Sequence, residues 1–221
     1  MEINGEVNKK LRQFARLLLE ANARARVVGP ADEETIYEEH VRDALAALPW
    51  LEKFPPGSSF ADVGTGGGLP GIAWGICRPD MRGVLVDSVG KKIEVVREIA
   101  SRLGLENITA VHARSEDLAR SNRERFDAAT ARAVSDSRIL AEYLSPLVKV
   151  GGRIIAFKGS RASEETDIPP GDWKKLGLAA PSLEPYSVAG KNLNLVIWEK
   201  LSPCPAKFPR QPGEARKNPW R

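Results

Sequence analysis

Val7, Leu11, Phe14 and Leu18 recur at helical spacing among charged neighbours, which predicts an amphipathic helix over residues 7–25. A second helix is predicted from about Asp32 to Leu48. From Ser59 onward the rhythm changes to short apolar runs, read as strands near Phe60–Val63, Gly83–Asp87, Ile108–His112, Phe126–Ala131, Arg153–Lys158, Leu183–Val188 and Asn194–Glu199. Helical patterns near Leu69–Cys77, Lys91–Leu103 and Asp136–Val148 fall between them. Strands alternating with helices predict an α/β fold, a parallel sheet covered by helices. Only Ala189-Gly190-Lys191-Asn192 separates the last two strands, so those two should pair as an antiparallel hairpin.

A chain of 221 residues, 42% of them apolar, suffices for one sizeable domain and is short for two independent cores. The expected organisation is an N-terminal helical cap over 1–50, a ligand-binding core over 51–200 and a tail over 201–221. No run reaches the roughly 18 apolar residues of a membrane span, and the amino terminus lacks a secretory pattern, so a cytoplasmic location without membrane attachment is expected. Cys77 and Cys204 have neither metal-type spacing nor a disulfide framework, and no metal is expected. The net charge of +4 resides in the tail, where Lys207, Arg210, Arg216, Lys217 and Arg221 face only Glu214. Any general attraction to nucleic acid is therefore expected there. With Pro203, Pro205, Pro209, Pro212 and Pro219, this segment should be an extended arm. Phe208 and Trp220 would either stack on bases or anchor the arm.

Candidate chemistry begins at Asp62-Val63-Gly64-Thr65-Gly66-Gly67-Gly68-Leu69-Pro70-Gly71, between a strand and a helix. Gly64, Gly66 and Gly68 permit a tight turn and close approach of the backbone to a ligand. Asp87 ends the next strand, where a carboxylate can accept ribose hydroxyls. This pair indicates a nucleoside cofactor, either S-adenosylmethionine or NAD. Three details favour the former. Asp62 can favour an ammonium or sulfonium charge, Leu69 stands where a dinucleotide loop has its third glycine, and none of Tyr37, Tyr143 and Tyr186 has a lysine four residues on.

These motifs, followed by Ser88, Lys91-Lys92, Arg114-Ser115-Glu116, Phe126-Asp127, Ala131-Arg132-Ala133, Gly151-Gly152 and Lys158-Gly159, resemble the bacterial 16S ribosomal RNA guanine-N7 methyltransferase family, glucose-inhibited division protein B. Upstream, Asn22 and His40-Val41-Arg42-Asp43 resemble that family's helical cap. The resemblance implies a Rossmann-like, seven-stranded class I methyltransferase fold and cofactor contacts at Gly64, Leu69, Ser115, Glu116 and Arg132, with Asp87 in the ribose position. Ser115 and Glu116, after the third strand, would meet the adenine; their ordinary alternative is a helix start. Arg132 would bind the cofactor carboxylate or an RNA phosphate and act in catalysis, against the alternative of a surface ion pair. Departures from the family occur at Arg26-Val27-Val28, Ala44 and Leu193, all expected to lie away from the cofactor loop.

Guanine N7 carries a lone pair at neutral pH, so no general base is required. Pro203-Cys204 lies beyond the last strand, which argues against a cysteine nucleophile, and Thr130-Ala131-Arg132-Ala133 is not an amino-group methyltransferase motif. His40 is expected to pack between cap and core or to orient Asp43. Lys91 and Lys92 read as a solvated helix start. The implied partner is 16S ribosomal RNA or the small ribosomal subunit, with the protein a monomer. An NAD-linked oxidoreductase and a noncatalytic RNA-binding module stay open on sequence alone.

Overall fold

The computed structural model describes residues 3–29 and 31–220. Helix α1 (Gly5–Ala25) starts where the Asn4 side chain accepts from the Val7 amide at 2.9 Å. It ends where Arg26 turns into the left-handed region and its N–H reaches the Asn22 carbonyl. The second predicted helix forms as α2 (Glu33–Ile36), a π-helical turn over Tyr37–Val41 and α3 (Arg42–Leu45). The chain then restarts as α4 (Leu48–Leu51), with Pro49 in its first turn, where the missing N–H is not needed.

The remaining elements alternate as the apolar pattern requires. They are β1 (Ser59–Val63), α5 (Gly71–Cys77), β2 (Arg82–Asp87), α6 (Gly90–Arg102), β3 (Ile108–His112), α7 (Ser115–Ser121), β4 (Phe126–Arg132), α8 (Ser137–Leu144) and β5 (Val148–Lys158). Short helices α9 (Ala162–Thr166) and α10 (Pro170–Trp173) precede β6 (Ser182–Val188) and β7 (Lys191–Glu199), and α11 (Glu214–Lys217) lies in the tail. The sheet order is β3-β2-β1-β4-β5-β7-β6, parallel through β5, with β7 antiparallel to both neighbours. Ala189 and Gly190, both at positive φ, close the β6–β7 hairpin in two residues, a tighter turn than the four-residue connection expected.

Alternation along β1 divides the core. Phe60 faces the layer of α1, the cap, α5 and α6, whereas Ala61 and Val63 face the layer of α7, α8 and the tail. Trp74 fastens the cap: its ring meets Phe60 at 5.4 Å between centroids and its Nε1 donates to the Ala44 carbonyl at 3.0 Å. No helix among the described residues is long and apolar enough to cross a membrane.

The tail departs from the expected extended arm, for it folds back along α7 and α8. Cys204, Phe208 and Trp220 are buried there. Its prolines deny it a ladder of its own, and Arg123 supplies the missing donors, reaching the carbonyls of Phe208 (2.7 Å), Pro205 (3.0 Å) and Cys204. Arg210 makes a forked ion pair with Glu142, which is 1% exposed. Phe208 and Trp220 are thus anchors. Trp220 packs edge-on against Trp173 with centroids 5.6 Å apart and donates to the Arg138 carbonyl at 2.8 Å. Trp220→Ala should destabilise the chain by about 3 kcal/mol, the usual scale for removing a buried aromatic. Urea unfolding measures it, and a midpoint equal to wild type would mean that the tail lies free.

Candidate nucleoside site and the adjoining cavity

The chain runs β1 to β2 to β3, then crosses back to β4 on the other side of β1, which opens a crevice at the carboxyl ends of the strands. Asp62, at the end of β1, is fully buried, and its Oδ2 accepts from Thr65 Oγ1 (2.7 Å) and the Gly71 amide (2.9 Å). The same carboxylate oxygen therefore ties the first turn of the glycine loop to the start of α5. Oδ1 is buried without a hydrogen-bond partner among the described residues. Burial raises the Asp62 pKa to about 6, against the opposing bonds from Thr65 and Gly71.

Gly64 shows why the loop needs glycine: its φ is +71°, and an added Cβ would lie 2.5 Å from Val134 Cγ2. Gly66 and Gly68 share the left-handed φ. Asp87 fixes the loop from the neighbouring strand, its Oδ2 accepting from the Gly66 amide at 3.0 Å and its Oδ1 from the Val89 amide at 2.9 Å. A carboxylate offers about four acceptor sites, so both oxygens retain capacity for a ligand. Ser115 opens α7 and donates to Glu116 Oε2 at 2.9 Å, while Glu116 Oε1 accepts from the Gly213 amide at 3.1 Å. The helix-start alternative thus holds for these two residues, and they also line the crevice. Gly64, Asp87, Ser115, Glu116, Val134 and Arg216 surround a cavity of about 200 Å³.

Other expected site residues lie elsewhere. Asp62, Gly66, Gly68 and Leu69 do not line that cavity; the Asp62 carboxylate turns into its own loop, and the Leu69 side chain is buried in the core layer beneath. Arg132 lines a second cavity of about 250 Å³ with Asp43, Phe157, Lys158, Tyr186 and Leu193. There its Nη1 donates to Asp43 Oδ2 at 2.9 Å and to the His40 carbonyl at 3.2 Å. The anion that Arg132 meets within the protein is thus the Asp43 carboxylate of the cap. Its Nε and Nη2 make no hydrogen bond among the described residues. Tyr186 Oη donates to the other Asp43 oxygen at 2.6 Å; burial, then the Asp43 charge, pushes its pKa up. Burial and Arg132 push the His40 pKa down, and its carbonyl is the group that Arg132 engages. Ala133 and Val134 divide the two cavities. Ala133 takes the left-handed φ of +56°, an uncommon conformation for alanine, and consecutive residues so face different cavities.

Sequence reasoning missed Tyr186, Val134, Gly213 and Arg216, which reach the site from distant segments. It also set Arg26-Val27-Val28 apart from the glycine loop, which the structure corrects. The Val27 carbonyl lies 4.0 Å from the Cβ position of Gly66, and the Val27 Cβ 3.0 Å from that of Gly67. Asn22 positions this turn, its side chain accepting from the Val28 amide (3.0 Å) and donating to the Gly29 carbonyl (3.3 Å). Leu193 sits in the second cavity, away from the loop as expected. Lys91 is exposed at the start of α6, the solvated position expected for it. A wider groove along α1 is lined by arginines already paired, Arg12 with Glu34, Arg16 with Glu33 and Arg102 with Glu20.

The strand order, the glycine loop and the carboxylate at the end of β2 define a Rossmann-like fold of the class I methyltransferase type. Solved structures of that architecture include a mutant of MtNAS in complex with S-adenosylmethionine, 18% identical with a TM-score of 0.58 over 91% of this chain and 80% of that one. An rRNA methylase from Streptococcus thermophilus is 18% identical, with a TM-score of 0.54 over 72% of this chain and 95% of its own. The chain belongs to the GidB family, rRNA small subunit methyltransferase G, whose sequence profile matches residues 7–192. Ribosomal RNA small subunit methyltransferase G of Rubrobacter xylanophilus is 41% identical over 96% of this chain and 83% of its own length. The protein of the same name from Clostridium perfringens is 35% identical, covering 99% and 93%.

The raised Asp62 pKa has a definite sign. Below the unfolded carboxylate range the group is neutral in both states and its burial costs no charge; above about 6 it is ionised in both, and the folded state bears the desolvation cost. Without ligand, wild-type stability should therefore fall by about 2–3 kcal/mol relative to Asp62→Asn between pH 4 and pH 7. Parallel pH profiles from urea unfolding of the two proteins would contradict this.

Proposed function

We propose that this chain transfers a methyl group from S-adenosylmethionine to N7 of a guanine in 16S ribosomal RNA. The observation that carries the reading is the pair of cavities lined on either side of Ala133–Val134, of which the first would take the nucleoside and the second the acceptor. Family membership supports it, as do the relatives named for methylating small-subunit ribosomal RNA. The residues present fit S-adenosylmethionine: Asp87 keeps acceptor capacity at the cavity that Gly64, Ser115 and Glu116 also line, and the orphaned Asp62 Oδ1 places unneutralised negative charge beneath the loop. When bound, that cofactor supplies an electrophilic methyl on a sulfonium.

Asp87 would accept the ribose hydroxyls, and Ser115 and Glu116 would read the adenine edge. The backbone from Gly64 to Leu69, Gly66 and Gly68 included, would cradle the amino-acid portion, with Asp62 acting on its positive charge from below. Guanine N7 would offer its in-plane lone pair to the methyl without losing a proton, so no residue here would be needed as a general base. The protein is left to exclude water and align the reactants, a contribution of up to about 7–11 kcal/mol in well-oriented cases. Arg132 fits this as a positioning residue, holding Asp43, which in turn accepts from Tyr186, at the wall of the acceptor cavity. The target base would leave its stack to enter. On this reading the protein would act in the cytoplasm, as a monomer.

The test is methyl transfer to purified small subunits, with N7-methylguanine located by chemical cleavage of the RNA. Modification at one guanine is expected; a protein that binds S-adenosylhomocysteine yet modifies no RNA would contradict the reading. Asp87→Ala should weaken S-adenosylhomocysteine binding by roughly 1–3 kcal/mol, since it removes bonds to a charged acceptor; unchanged calorimetric affinity would take Asp87 out of the site. Arg132→Ala should lower both stability and turnover because it strands the buried Asp43 charge. Arg132→Lys should restore most of the stability but not the turnover, for lack of the planar fork; wild-type kcat in the lysine variant would assign Arg132 to folding alone.

A further inference from the structure

We propose that the carboxyl-terminal segment is part of the nucleoside site, with Arg216 forming its outer wall and laying its guanidinium against the purine. The proposal rests on the reading of that cavity as the S-adenosylmethionine site. Gly213 turns the tail toward the cavity at a φ of +82°, and its amide is held by Glu116. Arg216 follows on α11, lines the same cavity and donates through Nη2 to the Val134 carbonyl at 3.1 Å. Val134 is the residue against which Gly64 is fitted, so the glycine loop meets its side chain and the tail its carbonyl.

The wall is anchored on both sides. Before α11, Arg210 is forked onto the buried Glu142; after it, Trp220 is seated on Trp173; between them Ala215 is buried against Ile139 and Tyr143. Arg216 itself has no carboxylate within ion-pair distance among the described residues; its bonds to the Val134 carbonyl and the Tyr143 hydroxyl use N–H groups and leave the guanidinium face for a ring. The chemistry of the cavity selects its partner. Asp87 and Glu116 line the same space, and their charges disfavour a phosphate there. A neutral heterocycle on a cationic ligand suits both the carboxylates and a guanidinium face. Of the positive charges in the tail, Arg216 thus serves the small ligand and Arg210 the fold.

Calorimetry on the full chain tests this with two ligands, S-adenosylhomocysteine and 5′-methylthioadenosine, which shares the nucleoside but lacks the amino acid. Arg216→Ala should weaken both by a similar factor, roughly tenfold for loss of a partly desolvated cation–π contact. Its melting temperature should stay near wild type, and in turnover KM for S-adenosylmethionine should rise while kcat at saturation holds. Lys217→Ala, one residue further on the exposed face, should leave both affinities unchanged. Wild-type affinity in Arg216→Ala, or a loss confined to S-adenosylhomocysteine, would overturn the proposal. Failure of the wild-type chain to bind either ligand would instead remove the donor-site reading, and this inference with it.

Discussion

One carboxylate oxygen closes the glycine loop. Asp62 Oδ2 accepts from Thr65 at the start of the loop and from Gly71 at its end, and in that closed form Gly66 presents its amide to Asp87. The arrangement buries a charge, and the raised pKa of Asp62 is the measure of that cost. A cation bound above the loop would offset it, because an unpaired buried carboxylate gains most from an opposite charge nearby. The loop is thus closed by a group whose penalty the proposed ligand relieves, which links the fold of this turn to the chemistry assigned to it.

Around that turn, segments remote in sequence act as clamps. Val27 covers the loop from the end of α1, so the amino-terminal cap shapes the glycine turn as well as the acceptor side. Asp43 joins the cap to β4 through Arg132 and to β6 through Tyr186, drawing both into one polar cluster beside the second cavity. That cluster is partly buried, Asp43 at 8% and Arg132 at 18% side-chain exposure, where loss of one partner leaves a charge uncompensated. On the opposite face the tail is fixed through Arg123, Arg210 and Trp220. Cap, loop and tail thereby frame two adjoining spaces divided by Ala133 and Val134.

The local part of this plan was legible in the sequence. All seven strands and the main helices fall where apolar period and glycine place them, and Gly64, Asp87, Ser115 and Glu116 meet around one cavity because each follows a strand of the same parallel sheet. What escaped was long-range. Prolines and surplus charge in the tail describe an extended chain equally well whether it is solvated or docked, and only the burial of Glu142 and the donors of Arg123 decide between the two. The partner of Arg132 was hidden for the same reason: an arginine at a strand end calls for an anion, and nothing local says that Asp43, from the cap, supplies it. Tyr186 gave no signal beyond its place in an edge strand.

The methyl donor and the acceptor base are proposed to occupy neighbouring cavities at the carboxyl edge of the sheet. A crystal structure with S-adenosylhomocysteine measures this most directly. Adenosine density is expected between Asp87, Ser115 and Arg216, with the sulfur directed past Val134 toward the cavity of Arg132 and Tyr186. Ligand density along the α1 groove, or with the sulfur turned away from Arg132, would contradict it.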